Sequence, residues 1–173
     1  MNHIKVNKAP FRAVAYWTGY VGGLHLSPRA MLPLRTVDSL HLIEGKGVEG
    51  DRYMLGTGHL TEKLAEMKID HRRHISFFEQ ETVDALARDH RIELVAGEHR
   101  RNVTTVGVPL MHLIGRRFSV GSTIIEGSYD PVCKHLEDVI GKPVANHLIN
   151  RCGLFGKIIV GGRIRTGDVI RLA

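Results

Sequence analysis

The chain has only two cysteines, Cys133 and Cys152, in 173 residues. Two thiols cannot form the dense cross-linking of a small secreted scaffold, so free thiols in a reducing cytoplasm are the expectation. No apolar run approaches the roughly 20 residues that a membrane-crossing helix needs. The opening stretch MNHIKVNKAPFRAV lacks an apolar core of the secretory kind, so no leader is expected. Aromatics make up 6% of the chain, too few for a nucleic-acid surface built on base stacking. Also missing are H-E-x-x-H, any Cys/His set with zinc spacing, a G-x-S-x-G elbow and a G-x-x-x-x-G-K-[ST] loop. These absences argue against a zinc protease, a zinc module, a serine hydrolase and a P-loop nucleotidase.

What is present is positive charge and glycine. The net charge is +6, compatible with an anionic partner or simply with solubility. Three Arg-Arg pairs, Arg72-Arg73, Arg100-Arg101 and Arg116-Arg117, each adjoin an apolar, strand-like run. Strand side chains alternate faces, so at most one arginine of each pair points inward. Converging inward arginines make a pocket for phosphate or carboxylate; otherwise all three pairs are solvated.

The 19 glycines mostly separate short apolar runs. Strands are expected at 11–17, 38–44, 74–78, 102–106, 117–120, 123–127, 157–162 and 168–172, several with period-2 alternation. Helices are expected at 79–90, 131–141 (closing on Gly141), 145–153 and 61–69. So many short strands favour closure, which removes exposed edges. The expected fold is mainly β: a closed or strongly curved barrel with several short peripheral helices. It forms one domain over 1–173, with 1–10 as a flexible tail.

The stretch GKGVEG (45–50) matches G-x-G-x-x-G, but Gly56 and Gly58 follow where a Rossmann unit needs a helix. It reads instead as a glycine-rich turn presenting Asp51 and Arg52, either as a structural ion pair or as ligand contacts. The eleven histidines, including His71 and His74 at i, i+3, read as surface or core residues. In SYDPVCKHLE (128–137), Asp130 suits an N-cap and Pro131 the first helical position, placing Cys133 near the third. There the helix dipole and Lys134 favour a thiolate, although Asp130 opposes it. The residues alone leave Cys133 open as a reactive thiol or a packed one. Cys152, at a helix end, reads as a small packed hydrophobe.

Five stretches together resemble the MOSC domain, the C-terminal domain of molybdenum-cofactor sulfurases. They are GVEGDRY (47–53), RHISFFEQE (73–81), RRNVTTVGVPLMHLIGRRFSVG (100–121), DPVCKHLE (130–137) and GLFGKIIVGGRIRTGDVIRL (153–172). The resemblance implies a barrel with a cysteine facing a cleft, matched by Cys133. In amidoxime-reducing relatives that cysteine ligates molybdenum, while basic residues hold the pterin phosphate. Carried over, Arg101 and Asn102 contact the molybdenum cofactor (molybdopterin), Asp51 and Arg52 lie beside it, and Lys134 reaches a phosphate or substrate. Val132 stands where the family commonly has proline before the cysteine. The pyridoxal-phosphate-binding sulfurase domain is absent from this sequence, and no pyridoxal phosphate site is expected.

The resemblance thus implies a molybdenum-dependent reductase of N-hydroxylated or N-oxide substrates. Its electrons come from a donor protein, since no flavin, haem or iron–sulfur motif is visible. The alternatives are a sulfur carrier, with a Cys133 persulfide loaded by a desulfurase, or a cofactor carrier without turnover. A nucleic-acid-binding barrel is the remote third reading; the Phe77-Phe78 pair, in an apolar run, looks like core.

Overall fold

The computed structural model of the chain describes residues 17–59, 61, 66, 73–129 and 133–173. Eleven strands are described: β1 (Gly19–Leu26), β2 (Arg35–Thr36), β3 (Ser39–Ile43), β4 (Gly47–Val48), β5 (Ile75–Glu79), β6 (Val103–Val106), β7 (Arg117–Val120), β8 (Thr123–Tyr129), β9 (Leu154–Val160), β10 (Gly162–Arg165) and β11 (Val169–Leu172). Two helices accompany them, α1 (Gln80–His90) and α2 (Lys134–Ile140).

The main sheet runs β11-β7-β8-β9-β5-β6-β1 and closes on itself through a β11–β1 pairing. The result is the expected closed barrel, of seven strands, with β2 added beyond β1 and a separate three-stranded sheet β10-β3-β4. Closure leaves no unpaired edge on the ring. Among the described strands only β5 and β6 pair in parallel; helix α1 begins directly after β5 and provides part of the crossover that a parallel pair requires.

Period-2 alternation divides the hydrophobic residues between two cores. On β5, Phe77 faces the barrel interior with Val103, Phe118, Leu154 and Ile170. Its neighbour Phe78 faces outward, into a smaller core with Leu86, Leu136, Val144, Leu148, Cys133 and Cys152. Both phenylalanines are fully buried, so this pair is core, as expected. Helices α1 and α2 cover the outer core. Each fully buried Leu or Phe contributes about 1.5–3 kcal/mol, enough to fix the helices on the barrel wall.

The expected strands at 38–44, 74–78, 102–106, 117–120, 123–127, 157–162 and 168–172 correspond to β3, β5, β6, β7, β8, β9 and β11. The expected strand at 11–17 lies outside the described residues except for Trp17, and the helix at 61–69 lies outside them except for Thr61 and Glu66. Strand β1 was not foreseen, because Gly19, Gly22 and Gly23 disguise it as a turn. These glycines admit close neighbours: a Cβ at Gly19 would overlap the Val108 side chain, and the register shifts between Val21 and Gly23.

The GKGVEG segment is a hairpin turn. Gly45 and Gly47 adopt positive φ, and the chain returns as β4 antiparallel to β3 rather than entering a helix. Helix α2 starts later than expected, at Lys134, with Cys133 as its N-cap rather than its third residue. Asp130 and Pro131, on which that placement rested, lie outside the described residues. Gly141 ends α2 in the left-handed conformation, as read. The expected helix at 145–153 is only a 3₁₀ turn, Ala145–Leu148. Beyond it Asn150 turns the chain with a positive φ of 59°. Among the described residues no helix is long and apolar enough to cross a membrane.

Candidate functional site

Cys133, on the first residue of the α2 entry, and Cys152, after the Asn150 turn, form a disulfide. This corrects the expectation of free thiols. The Asn150 turn folds the chain back against α2 and places the two Cα atoms 5.8 Å apart, inside the span that a disulfide bridges without backbone movement. Both cysteines are buried in the outer core.

Beside them lies Arg101, the residue that leads into β6, only 7% exposed. Its Nη2 donates to Cys152 Sγ at 3.4 Å and its Nε to the Cys152 carbonyl oxygen at 3.3 Å. The Arg100 carbonyl oxygen is a joint: it accepts from Arg101 Nη1 at 3.4 Å and from Arg52 Nη2 at 3.0 Å. Arg100 holds a positive φ of 62°, turning that carbonyl toward the two guanidiniums. The 51–53 turn, the 99–102 turn and the two cysteine segments therefore meet, although they are far apart in sequence.

Aromatic rings complete the wall. The Tyr53 and Phe155 rings meet edge to face with centroids 6.1 Å apart. Arg52 stands 4.8 Å from the Tyr53 ring centroid, while Arg73 and Arg101 stand 5.0 and 5.4 Å from that of Phe155. At the rim His59 and His135 stack at 3.5 Å. Partial burial, then the charge of Arg73, lowers the pKa of His59. Partial burial, then His59 and Arg100, lowers that of His135. Arg100 is itself lowered, by burial and then by Arg52. Positive charge has been gathered here at a cost that an anionic ligand would offset. Alongside Arg100 opens an apolar groove of about 310 Å³ between Met31, Leu34, Val95, Val139 and Ile140.

Four of the expected contact residues fall into two roles. Arg52 and Arg101 meet at the Arg100 carbonyl beside the cysteines. Asp51 and Asn102 brace this joint from behind. Asp51 accepts from Arg52 Nη1 at 3.1 Å, from the Tyr53 backbone N–H at 3.1 Å and from Asn102 Nδ2 at 2.9 Å. Asn102 is fully buried; its Oδ1 accepts from the backbone N–H and the hydroxyl of Ser76, and its Nδ2 also donates to the His25 carbonyl. Lys134 is not brought to the cleft. Its ammonium pairs with Glu137 at 2.8 Å and Asp138 at 3.2 Å on the exposed side of α2. Of the arginine pairs, Arg100-Arg101 and Arg73 enter the site. Arg116 and Arg117 are exposed, with Arg117 on Glu126; Arg72 lies outside the described residues.

Sequence reading named the Arg100-Arg101 pair but expected at most one of the two inward; it missed the part of Cys152, the Tyr53–Phe155 wall and the His59–His135 pair. It also missed a buried chain behind the cleft. The Arg101 N–H donates to His99 Nδ1 at 3.1 Å, and Thr104 Oγ1 lies 2.9 Å from both His99 Nε2 and His25 Nε2. The first bond fixes the tautomer of a neutral His99: Nε2 carries its proton and donates to Thr104.

Fold and site together define a β-barrel protein with two cysteines and a cluster of arginines packed against its outer wall. The chain belongs to the MOSC domain family, whose pattern matches residues 55–171. It is similar to the YuaD protein of Bacillus subtilis (21% identity, TM-score 0.71, covering 89% of this chain and 96% of that one). It is also similar to YiiM of Geobacillus stearothermophilus (13%, TM-score 0.65, 90% and 75%) and to YiiM of Escherichia coli (18%, TM-score 0.63, 92% and 70%). No curated protein matches the chain. Proteins with MOSC domains are generally associated with binding molybdenum cofactor. The donor set suits such a group in the reduced chain: a cysteine sulfur for a soft metal, with guanidiniums for a phosphate. In the disulfide form the sulfur is already taken.

Proposed function

We propose that the protein binds molybdenum cofactor at the Cys133 cleft and reduces N-hydroxylated or N-oxide substrates with electrons from a partner protein. The observation that supports this most is the meeting of Arg52, Arg100 and Arg101, from two separate segments, beside the paired sulfurs of Cys133 and Cys152. When bound, the cofactor supplies two-electron chemistry at a sulfur-ligated metal. The chain supplies the rest. Cys133, once reduced, is the ligand. Arg100 and Arg101 hold the anionic part, and Asp51 and Asn102 fix Arg52 and the 99–102 turn behind them. Tyr53 and Phe155 exclude water on one side. The groove beside Arg100 receives the organic part of the substrate. Converting N–OH to N–H and water consumes two protons, and the His59–His135 pair at the rim is placed to pass them inward.

The test uses chain produced with active cofactor synthesis and reduced before assay. A reduced viologen dye serves as artificial donor and an amidoxime as substrate. Dye oxidation that depends on the amidoxime is expected; none from chain that contains molybdenum would sink the reading.

One observation favours a second reading, sulfur delivery. A persulfide on Cys133 would have Cys152 within reach. The Cys152 thiolate would attack the Cys133 sulfur, expel hydrosulfide and form the bridge. Incubation with a cysteine desulfurase followed by intact mass measurement decides. A gain of one sulfur on Cys133, held in Cys152→Ser and discharged in wild type, supports delivery; no gain in either rejects it.

A further inference from the structure

We infer that Cys152 is a gate on Cys133: the bridge and metal ligation at Cys133 exclude one another, so the cleft takes up its ligand only in the reduced chain. The inference rests on reading Cys133 as the metal ligand.

Two observations carry it. First, the bridge takes the very sulfur that would ligate. A metal needs a thiolate, and a sulfur bonded to another sulfur is not one. Second, reduction need not separate the pair. Arg101 holds Cys152 through its carbonyl oxygen and its sulfur, while the outer core packs around both cysteines. The Cα separation of 5.8 Å needs no backbone movement to close the bridge again.

The closing step balances with a small disulfide such as oxidised glutathione. One cysteine thiolate attacks one glutathione sulfur and expels the first glutathione thiolate. The other thiolate then attacks the protein sulfur of the mixed disulfide and expels the second. Two electrons pass from the cysteine pair to the glutathione disulfide. A dithiol reductant reverses the process. Because ligation and the bridge compete for one sulfur, a bound metal also protects the pair from oxidation, by the reciprocity of linked equilibria.

The experiment compares wild type with Cys152→Ser, each purified from cells with active cofactor synthesis and split between reduced and oxidised glutathione. Metal analysis gives molybdenum per chain; alkylation read by intact mass gives free thiols. Wild type is expected to keep molybdenum when reduced and to lose at least about ten-fold of it when oxidised, a factor of ten being about 1.4 kcal/mol. Alkylated after unfolding, which releases the metal, its free thiols should fall from two to none. Cys152→Ser should hold molybdenum equally in both. Equal loss from both proteins, or molybdenum retained by wild type with the bridge closed, overturns the gate. If neither reduced protein contains molybdenum, the ligand reading fails instead. Alkylation then still bears on the gate: Cys133 blocked by oxidation in wild type but open in Cys152→Ser supports it, and Cys133 open in both overturns it. Should Cys152→Ser not fold, wild type cycled between the two glutathione states gives the same comparison, and molybdenum unmoved by the cycle overturns the gate.

Discussion

Arg101 donates to both the sulfur and the carbonyl oxygen of Cys152, at 3.4 and 3.3 Å, and so ties the entry of β6 to the turn that carries the second cysteine. This arginine is at once part of the cleft wall and part of the frame.

Arg101→Ala should therefore do two things. Loss of buried hydrogen bonds to Cys152 and Arg100 should cost about 1–3 kcal/mol of stability, read from urea unfolding. Molybdenum content should fall well beyond the small fraction of unfolded chain. Arg101→Lys should restore only part of it, because an ammonium cannot reproduce the planar fork. Full retention in Arg101→Ala would remove Arg101 from the binding wall.

The Asp51–Arg52 pair is almost wholly buried, at 1% and 4% side-chain exposure. Removing one partner of such a pair leaves an uncompensated charge. Asp51→Ala should lose about 3–5 kcal/mol, again by urea unfolding. A loss below about 1 kcal/mol, the scale of exposed pairs, would contradict the bracing role.

Stability should fall as pH falls below 6.5. Burial lowers the pKa of His25, and burial followed by the charges of His25 and Arg101 lowers that of His99 well below 6.5. Below 6.5 the unfolded chain takes up protons that the folded chain refuses. The stabilisation is therefore fully present above 6.5 and is lost as pH drops toward the folded values, by up to about 1.4 kcal/mol per pH unit for each histidine. His59 and His135 act in the same direction. A urea midpoint unchanged between about pH 7.5 and 5.5 would contradict the neutral His99–Thr104–His25 chain.

Lys134→Ala should leave molybdenum content within about two-fold of wild type, a change of under 1 kcal/mol. Its ammonium is paired with Glu137 and Asp138 on the solvent side of α2. A large loss would mean that the side chain swings across to the cleft.

The barrel was legible where side chains alternate cleanly: RFSV at 117–120 coincides with β7, and Phe77 and Phe78 divide two cores as period 2 requires. It was hidden where packing overrides local preference, as in β1, whose glycines admit Val106 and Val108. The cleft was legible in part. Arg52 and Arg101 could be carried over from family motifs, but Asp51 and Asn102 could not be recognised as braces without the buried bonds they make to Ser76, Tyr53 and each other. Nothing local in NRCG indicates the bridge, since it depends on the left-handed turn at Asn150 and on where α2 begins. Arg100 was legible only as half of an Arg-Arg pair; its part in the joint comes from its backbone carbonyl.

The measurement that bears most directly on the account is molybdenum per chain in reduced wild type and in Cys133→Ser, both made in cells with active cofactor synthesis, with folding checked by unfolding curves. The account predicts molybdenum approaching one per chain in wild type and at least about a ten-fold loss in folded Cys133→Ser, the loss expected when the proposed protein ligand to the metal is removed. Equal molybdenum in the two proteins, or none in reduced wild type, would contradict it.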